Sequence, residues 1–444
     1  MSSPVFEPTP TPQIVAEDAV SAVTDSGRDA PFEQDDRPKV GAGYIWLMVL
    51  AQFGIFLGLV AAIGYSLSVK VAQISPDNTD LLGVVVGLGA TALVLVGPVL
   101  GMLSDRTRTR IGRRRPWLIA AVPLGIVGFV VVALAPSIWV MVIGWIIVQL
   151  GFGTSLAMLA NSMADRLPAS QRGKVAGLAG VAQMGASIIG VAVASMFTSS
   201  SLLLFLVPAG VGAVLALLFV VFIGEDDTRQ LQHVESLSPR LILSKYIFDV
   251  KKYRDFSWNF LGRFLFNFGL TMSTTFTTFF FADKLGISVA EIGGIVAISG
   301  LVSIVATMGG AGFSGFLSDR LRRRRVFVFL AGILFAVGTV VMVFAPGLPV
   351  LLVGTFISSL GLGIFSAVDQ ALVLDVLPER DTQAGRYNAI NQFSTTVPQA
   401  AAPLVAPVLL LVGGGSNYPV LFVASAVFAL IGGLVILLRV KSVR

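Results

Sequence analysis

PWLIAAVPLGIVGFVVVALAPSIWVMVIGWIIVQLGFGTSLAMLANSMA, from Pro116 to Ala164, runs for 49 residues without an Asp, Glu, Lys or Arg. A helix needs about 20 largely apolar residues to cross a hydrocarbon layer roughly 30 Å thick. The run therefore predicts two membrane spans that fold back on each other, with the turn at Ala135-Pro136-Ser137.

The same measure works outward in both directions. Val40 to Val69 and Leu81 to Ser104 give one span each, and the 50 uncharged residues from Val175 to Gly224 give two, turning near Thr198 to Ser201. Beyond a polar stretch from Glu225 to Asp255, Phe256 to Ala282 is interrupted only by Arg263, and Ile292 to Ser318 is a further span. Val326 to Leu374 breaks at Pro346-Gly347-Leu348-Pro349, and Tyr387 to Leu438 divides between Gly413 and Pro419. The expectation is an all-α polytopic membrane protein of twelve helices. The 444 residues are 55% hydrophobic and 13% charged, with mean hydropathy +0.86, more apolar surface than a water-soluble core can hide.

Charge sets the expected orientation. An even helix count with both termini on one side puts 28 of the 31 Lys and Arg on that side, leaving Lys70 and Lys284 opposite and Arg263 within a span. By the positive-inside rule that side is the cytoplasm. The predicted organisation is a disordered acidic tail (1–39), a six-helix half (40–224), a cytoplasmic linker (225–255), a second six-helix half (256–440) and a short tail (441–444). Residues 239–248 of the linker read equally as an amphipathic helix on the membrane face or as a plain connector. No basic start, short apolar core and small-residue cleavage site precedes the first apolar run, so that run is expected to be retained as a cell-membrane helix.

Several chemistries are excluded. There is no Cys and the only His, His233, falls in the linker, so neither a metal cluster nor an intramembrane enzyme built on these residues is expected, and no cofactor is implied. No G-x-x-x-x-G-K-[ST] loop offers ATP as an energy source, which leaves ion gradients. The net charge of +6 sits beside apolar runs, where anionic lipid headgroups rather than nucleic acid are the expected counterions.

Two internal echoes imply a duplicated unit. Gly101-Met102-Leu103-Ser104-Asp105-Arg106 recurs as Gly315-Phe316-Leu317-Ser318-Asp319-Arg320, and Asp165-Arg166-Leu167-Pro168 as Asp375-Val376-Leu377-Pro378. Gly101 to Arg106, followed by Gly112-Arg113-Arg114-Arg115-Pro116-Trp117, resembles the loop signature between spans two and three of the major facilitator superfamily. Within it, the loop is similar to that of the plant sucrose transporters and the bacterial glycoside-pentoside-hexuronide cation symporters. The resemblance implies two six-helix halves rocking around a midplane site for a sugar or glycoside.

The chain is expected to work as a monomer on a small-molecule substrate and a coupling proton. Gly101 and Gly112 permit close approach and tight turns, Asp105 can cap a helix or pair with an arginine, and Arg106 and Arg113 to Arg115 can grip headgroups or helix ends. With Asp319 and Arg320 in the second half, these residues read as a conformational lock or, alternatively, as plain topology signals. The second loop decays into Arg322 to Arg325 without glycine or proline, so Asp105→Ala is expected to impair transport more than Asp319→Ala.

Ionisable and amide side chains inside spans mark the candidate site. Arg263 and Asp369 should both sit toward the basic side and form an ion pair, either static or carrying the coupling proton. Arg263, Asn267, Thr271, Thr274 and Thr278 form one polar stripe; Asn388, Asn391 or Gln392, Thr395 and Gln399 form another, and Gln370 neighbours Asp369. In the first half, Gln52 with Phe56, and Trp145 with Gln149 and Phe152, pair amide hydrogen bonding with aromatic faces suited to sugars. One departure stands out: melibiose-type relatives carry cation-binding carboxylates in their first half, whereas no span here has one before Asp369, which favours proton over sodium coupling. A drug or metabolite exporter of the same superfamily is the alternative.

Overall fold

The computed structural model describes residues 37–224, 227–229, 248–321, 323–412 and 416–441. The acidic tail up to residue 36, His233, residues 239–247 of the linker and the Asp319 side chain lie outside the described residues. Twelve long helices are present among them. They are α1 (Ala42–Ile74), α2 (Leu81–Arg106), α3 (Arg115–Leu134), α4 (Ile138–Arg166), α5 (Ala169–Ser195), α6 (Ser201–Phe222), α7 (Arg254–Leu285), α8 (Gly293–Leu321), α9 (Arg324–Val343), α10 (Leu348–Val376), α11 (Arg380–Leu410) and α12 (Tyr418–Arg439). Eleven are long and apolar enough to cross a membrane on composition alone; α7 has the length, but Arg263 and its many Asn, Ser and Thr side chains dilute its hydropathy.

The turns fall where proline and polar residues interrupt the apolar runs, at 135–137, 196–200 and 344–347, and α12 starts at Tyr418-Pro419. The helix ends differ from the charge-free runs. Charge does not stop a helix, so α1 continues past Val69 and carries Lys70 as a buried residue whose ammonium donates to the Ala133 carbonyl at 2.8 Å. Lys70 therefore belongs to a helix and not to a connecting loop. Two π-helical turns interrupt the first half, at Ala62–Ser66 in α1 and Gln149–Gly153 in α4.

Lipid offers apolar side chains no reason to leave it, so helices associate where small residues let backbones come close. A Cβ on Gly212 would lie 2.3 Å from the Gly54 carbonyl oxygen between α6 and α1, and one on Gly432 would lie 2.5 Å from that of Gly262 between α12 and α7. Gly128 with Gly144 (α3, α4) and Gly338 with Gly354 (α9, α10) form a second matched pair of contacts. The internal repeat thus extends from the arginine loops into the packing of each half.

The two halves meet at the end of the bundle away from the arginine loops, here called the far end. There the Tyr65 hydroxyl donates to the Ala290 carbonyl at 2.6 Å, Thr278 donates to the Gly64 carbonyl at 2.5 Å, and the Thr79 and Tyr418 hydroxyls lie 2.6 Å apart. Pro407 has no N–H for the Pro403 carbonyl, and that freed oxygen lies against α2, where a Cβ on Gly83 would be 2.1 Å from it. Toward the opposite, basic end the helices part: a Cβ on Gly101 of α2, or on Gly309, Gly312 or Gly315 of α8, meets nothing within 4 Å.

Candidate functional site

Arg263 on α7 and Asp369 on α10 form the expected ion pair, with Arg263 Nη1 2.6 Å from Asp369 Oδ2. Asp369 is almost fully buried, and a charged side chain so placed costs several kcal/mol unless compensated. Thr395 of α11 supplies a second acceptor to the guanidinium at 3.4 and 3.5 Å. The other oxygen of Asp369, the amide oxygen of Asn391 and both amide atoms of Asn259 are buried with no hydrogen-bond partner. One helical turn separates Asn259 from Arg263 and Asn391 from Thr395, so each asparagine lies near the face of its helix that carries the ion-pair residue or its acceptor.

The α11 stripe divides between two faces. Asn391 and Thr395 turn inward, whereas Asn388, Gln392 and Gln399 are exposed, as is Gln370 on α10. Asn267 spends an amide hydrogen on the Arg263 carbonyl at 2.9 Å, one turn back in its own helix. Thr274 and Thr278 of the α7 stripe continue into a cavity of about 300 Å³, lined by α1, α5, α7, α8, α9, α10 and α12. Gln149 and Gln399 face each other across a smaller cavity of about 220 Å³ between α2, α4 and α11.

The first-half aromatics lie inside that half. Trp145 is fully buried, edge-on to Phe129 at 6.3 Å, and stands where a Cβ on Gly89 would be 2.3 Å from its ring. Phe152 packs edge-on to Phe129 at 5.3 Å. Both rings pack in the core of the first half in this conformation, with the Trp145 indole nitrogen buried and without a hydrogen-bond partner. Gln52 accepts from the Gln183 amide at 3.2 Å, and its own buried amide nitrogen is unpartnered. Sequence reasoning passed over Asn259 and the larger cavity. The signal for Asn259 was its place one turn before Arg263; the cavity draws single hydroxyls from many helices and had no sequence signature.

The arginine loops form ion-pair networks within each half. Arg114, itself buried, reaches Asp105 at 2.7 Å, Asp165 at 3.1 Å and Ser104 Oγ at 2.8 Å, and Arg113 reaches Asp165 at 2.6 Å. Gly112 has φ +91°, a left-handed turn that favours glycine, which accounts for that residue. Gly101 makes no close approach in this state. In the second half Arg324 reaches Asp375 at 2.6 Å, as Arg114 reaches Asp165. Arg115 donates to the Val220 carbonyl at 2.5 Å, and Arg325 to that of Val440. The second loop, degenerate as a motif, therefore keeps the arginines that do the bridging; Arg106 and Arg320 are exposed.

Two pseudo-symmetric six-helix halves, joined at one end around buried polar groups, define a polytopic membrane transporter fold. The sequence profile of the Major Facilitator Superfamily matches residues 44–314 and again 305–444, and the chain belongs to that superfamily: it is a transporter, not an enzyme. It is 32% identical over 98 residues to the arabinose-proton symporter of Bacillus subtilis (strain 168), covering 22% of this chain and 18% of that protein. Over 112 residues it is 32% identical to the glucose transporter GlcP of Staphylococcus epidermidis (strain ATCC 12228 / FDA PCI 1200), covering 25% of this chain and 24% of that one. The chain thus matches less than a quarter of the length of either relative. Among solved structures, nucleoside transporter NupG superposes with TM-score 0.70 at 13% identity, covering 90% of this chain and 99% of that one. A D-xylose-proton symporter superposes with TM-score 0.67 at 16% identity over the same shares. At these identities the structural likeness speaks for the fold alone.

Proposed function

We propose that the protein takes up a sugar or glycoside with a proton by alternating access. The observation that carries the reading is the buried Arg263–Asp369 pair at 2.6 Å, with one carboxylate oxygen left unpartnered. Asp369 is the proton carrier: protonation removes the charge that holds Arg263, leaves Thr395 as the nearest acceptor and loosens α7 from α10. The partial likeness to two sugar transporters, one a proton symporter, favours uptake of a sugar over export of a drug. The basic end faces the cytoplasm with both termini, where its arginines meet anionic headgroups. The far end is then the closed outer gate, and the conformation is open inward. Gln52, Gln149, Asn267, Gln370, Asn388, Asn391 and Gln392 are the amides proposed to meet substrate as the halves rock.

The test is uptake into proteoliposomes under an imposed pH gradient. Asp369→Asn is expected to abolish accumulation against the substrate gradient while keeping substrate exchange across the membrane. Accumulation at the wild-type level by this variant would remove Asp369 from the coupling step.

A further inference from the structure

The cavity of about 300 Å³ between the midplane and the far end has an unusual hydrogen-bonding polarity. Its polar lining consists of serine and threonine hydroxyls, with no charged, amide or ring N–H side chain. Most of these hydroxyls have already spent their proton. Thr274 donates to the Leu270 carbonyl at 2.9 Å, Thr277 to Ser273 at 2.9 Å, Ser299 to Val296 at 2.8 Å, Thr339 to Phe335 at 2.7 Å and Thr355 to Leu351 at 2.9 Å. A hydroxyl carries one donor and two lone pairs. Back-bonding to the preceding turn, the usual habit of Ser and Thr in membrane helices, leaves only lone pairs to face the space. The remaining walls are apolar, among them Phe281, Phe335 and Phe422.

We infer that this cavity binds one uncharged molecule rich in hydroxyl or N–H donors, about the size of a single sugar ring, and rejects its carboxylated and phosphorylated derivatives. The carboxylate or phosphate group of such a derivative brings only acceptors and would face lone pairs with its desolvation uncompensated. A cation would find no carboxylate to pair with. A neutral polyol donates to the ring of oxygens and lays its C–H face on the phenylalanines. The volume is at the small end of the roughly 300–1,000 Å³ range of ligand cavities, which suits one ring and not two. The inference rests on the transport reading above and narrows it, from sugars and glycosides in general to neutral monosaccharides and polyols.

The test is equilibrium binding to the purified full chain in detergent, with D-glucose, D-xylose, L-arabinose, xylitol, D-glucuronate, glucose 6-phosphate and uridine as radiolabelled probes. At least one neutral probe is expected to bind, with the matching acid or phosphate at least tenfold weaker. Thr274→Val and Thr355→Val keep the side-chain shape, remove the accepting oxygen and should each weaken binding about three- to tenfold. Thermal unfolding checks that both variants are folded; if one is not, Thr339→Val takes its place. Glucuronate binding as tightly as glucose, neutral binding indifferent to the threonine variants, or binding of no probe would each overturn the inference. Uridine alone binding, with loss in both variants, would uphold the cavity's polarity and sink the sugar reading.

Discussion

Arg263 and Asp369 were legible as a pair because an ionisable group inside an apolar run has few explanations. Removing one partner of a buried pair strands the other at a cost of about 3–5 kcal/mol, whereas apolar replacement of both is often tolerated. Arg263→Ala should therefore lower the unfolding temperature in detergent more than the double variant Arg263→Met/Asp369→Leu, which should fold but not accumulate substrate; equal destabilisation would mean that the pair is not mutually compensated. At the basic end, Glu379 accepts from the Tyr253 hydroxyl and pairs with Lys252 at 3.4 Å. The Tyr253 bond, with Lys252 behind it, holds the Glu379 carboxyl below the usual carboxylate range. A lowered folded-state value stabilises above the unfolded pKa and is lost as pH falls through the folded one. Glu379→Gln is thus expected to lower the unfolding temperature near pH 7 and to converge with wild type in acid, measured by unfolding scans at both pH values.

At the scale of the helix, the count and the turns were readable because a bilayer sets one length and proline marks the breaks. Helix ends were less readable, since Lys70 buries its stem and finds a carbonyl while still helical. Side-chain facing was read only in part: a stripe predicts which residues share a face but not what stands opposite, so Asn391 and Gln392 parted company. The contact of Gly83 with the Pro403 carbonyl makes its own prediction. Gly83→Leu should hold the far end apart. Because the chain has no cysteine, a single cysteine introduced at Thr278 reports directly on this, and its labelling by an impermeant maleimide should rise in the Gly83→Leu background. Unchanged labelling would mean that α2 and α11 are not the closing surfaces.

Across the whole molecule, the repeat was legible as two loops, and the structure adds that the second keeps bridging arginines. Among the described residues Asp165 serves both Arg113 and Arg114, while Asp375 serves Arg324, so the described load on the two carboxylates differs although the design recurs. Asp165→Asn should slow initial uptake more than Asp375→Asn at matched membrane levels; the reverse order would assign the heavier load to the second half. The hydroxyl cavity was beyond a one-dimensional reading because its walls come from seven helices, each contributing residues that lipid-facing helices also carry.

The π turns in α1 and α4 have no counterpart in the matching helices α7 and α10. Each π turn inserts a residue into the helical count, and one residue corresponds to a rotation of about 100°. The azimuth of everything on the other side of Ala62–Ser66, Gln52 included, is therefore set by that single insertion. Deleting Ile63 would leave the composition of α1 almost untouched and yet swing Gln52 away from Gln183, a change of phase rather than of chemistry.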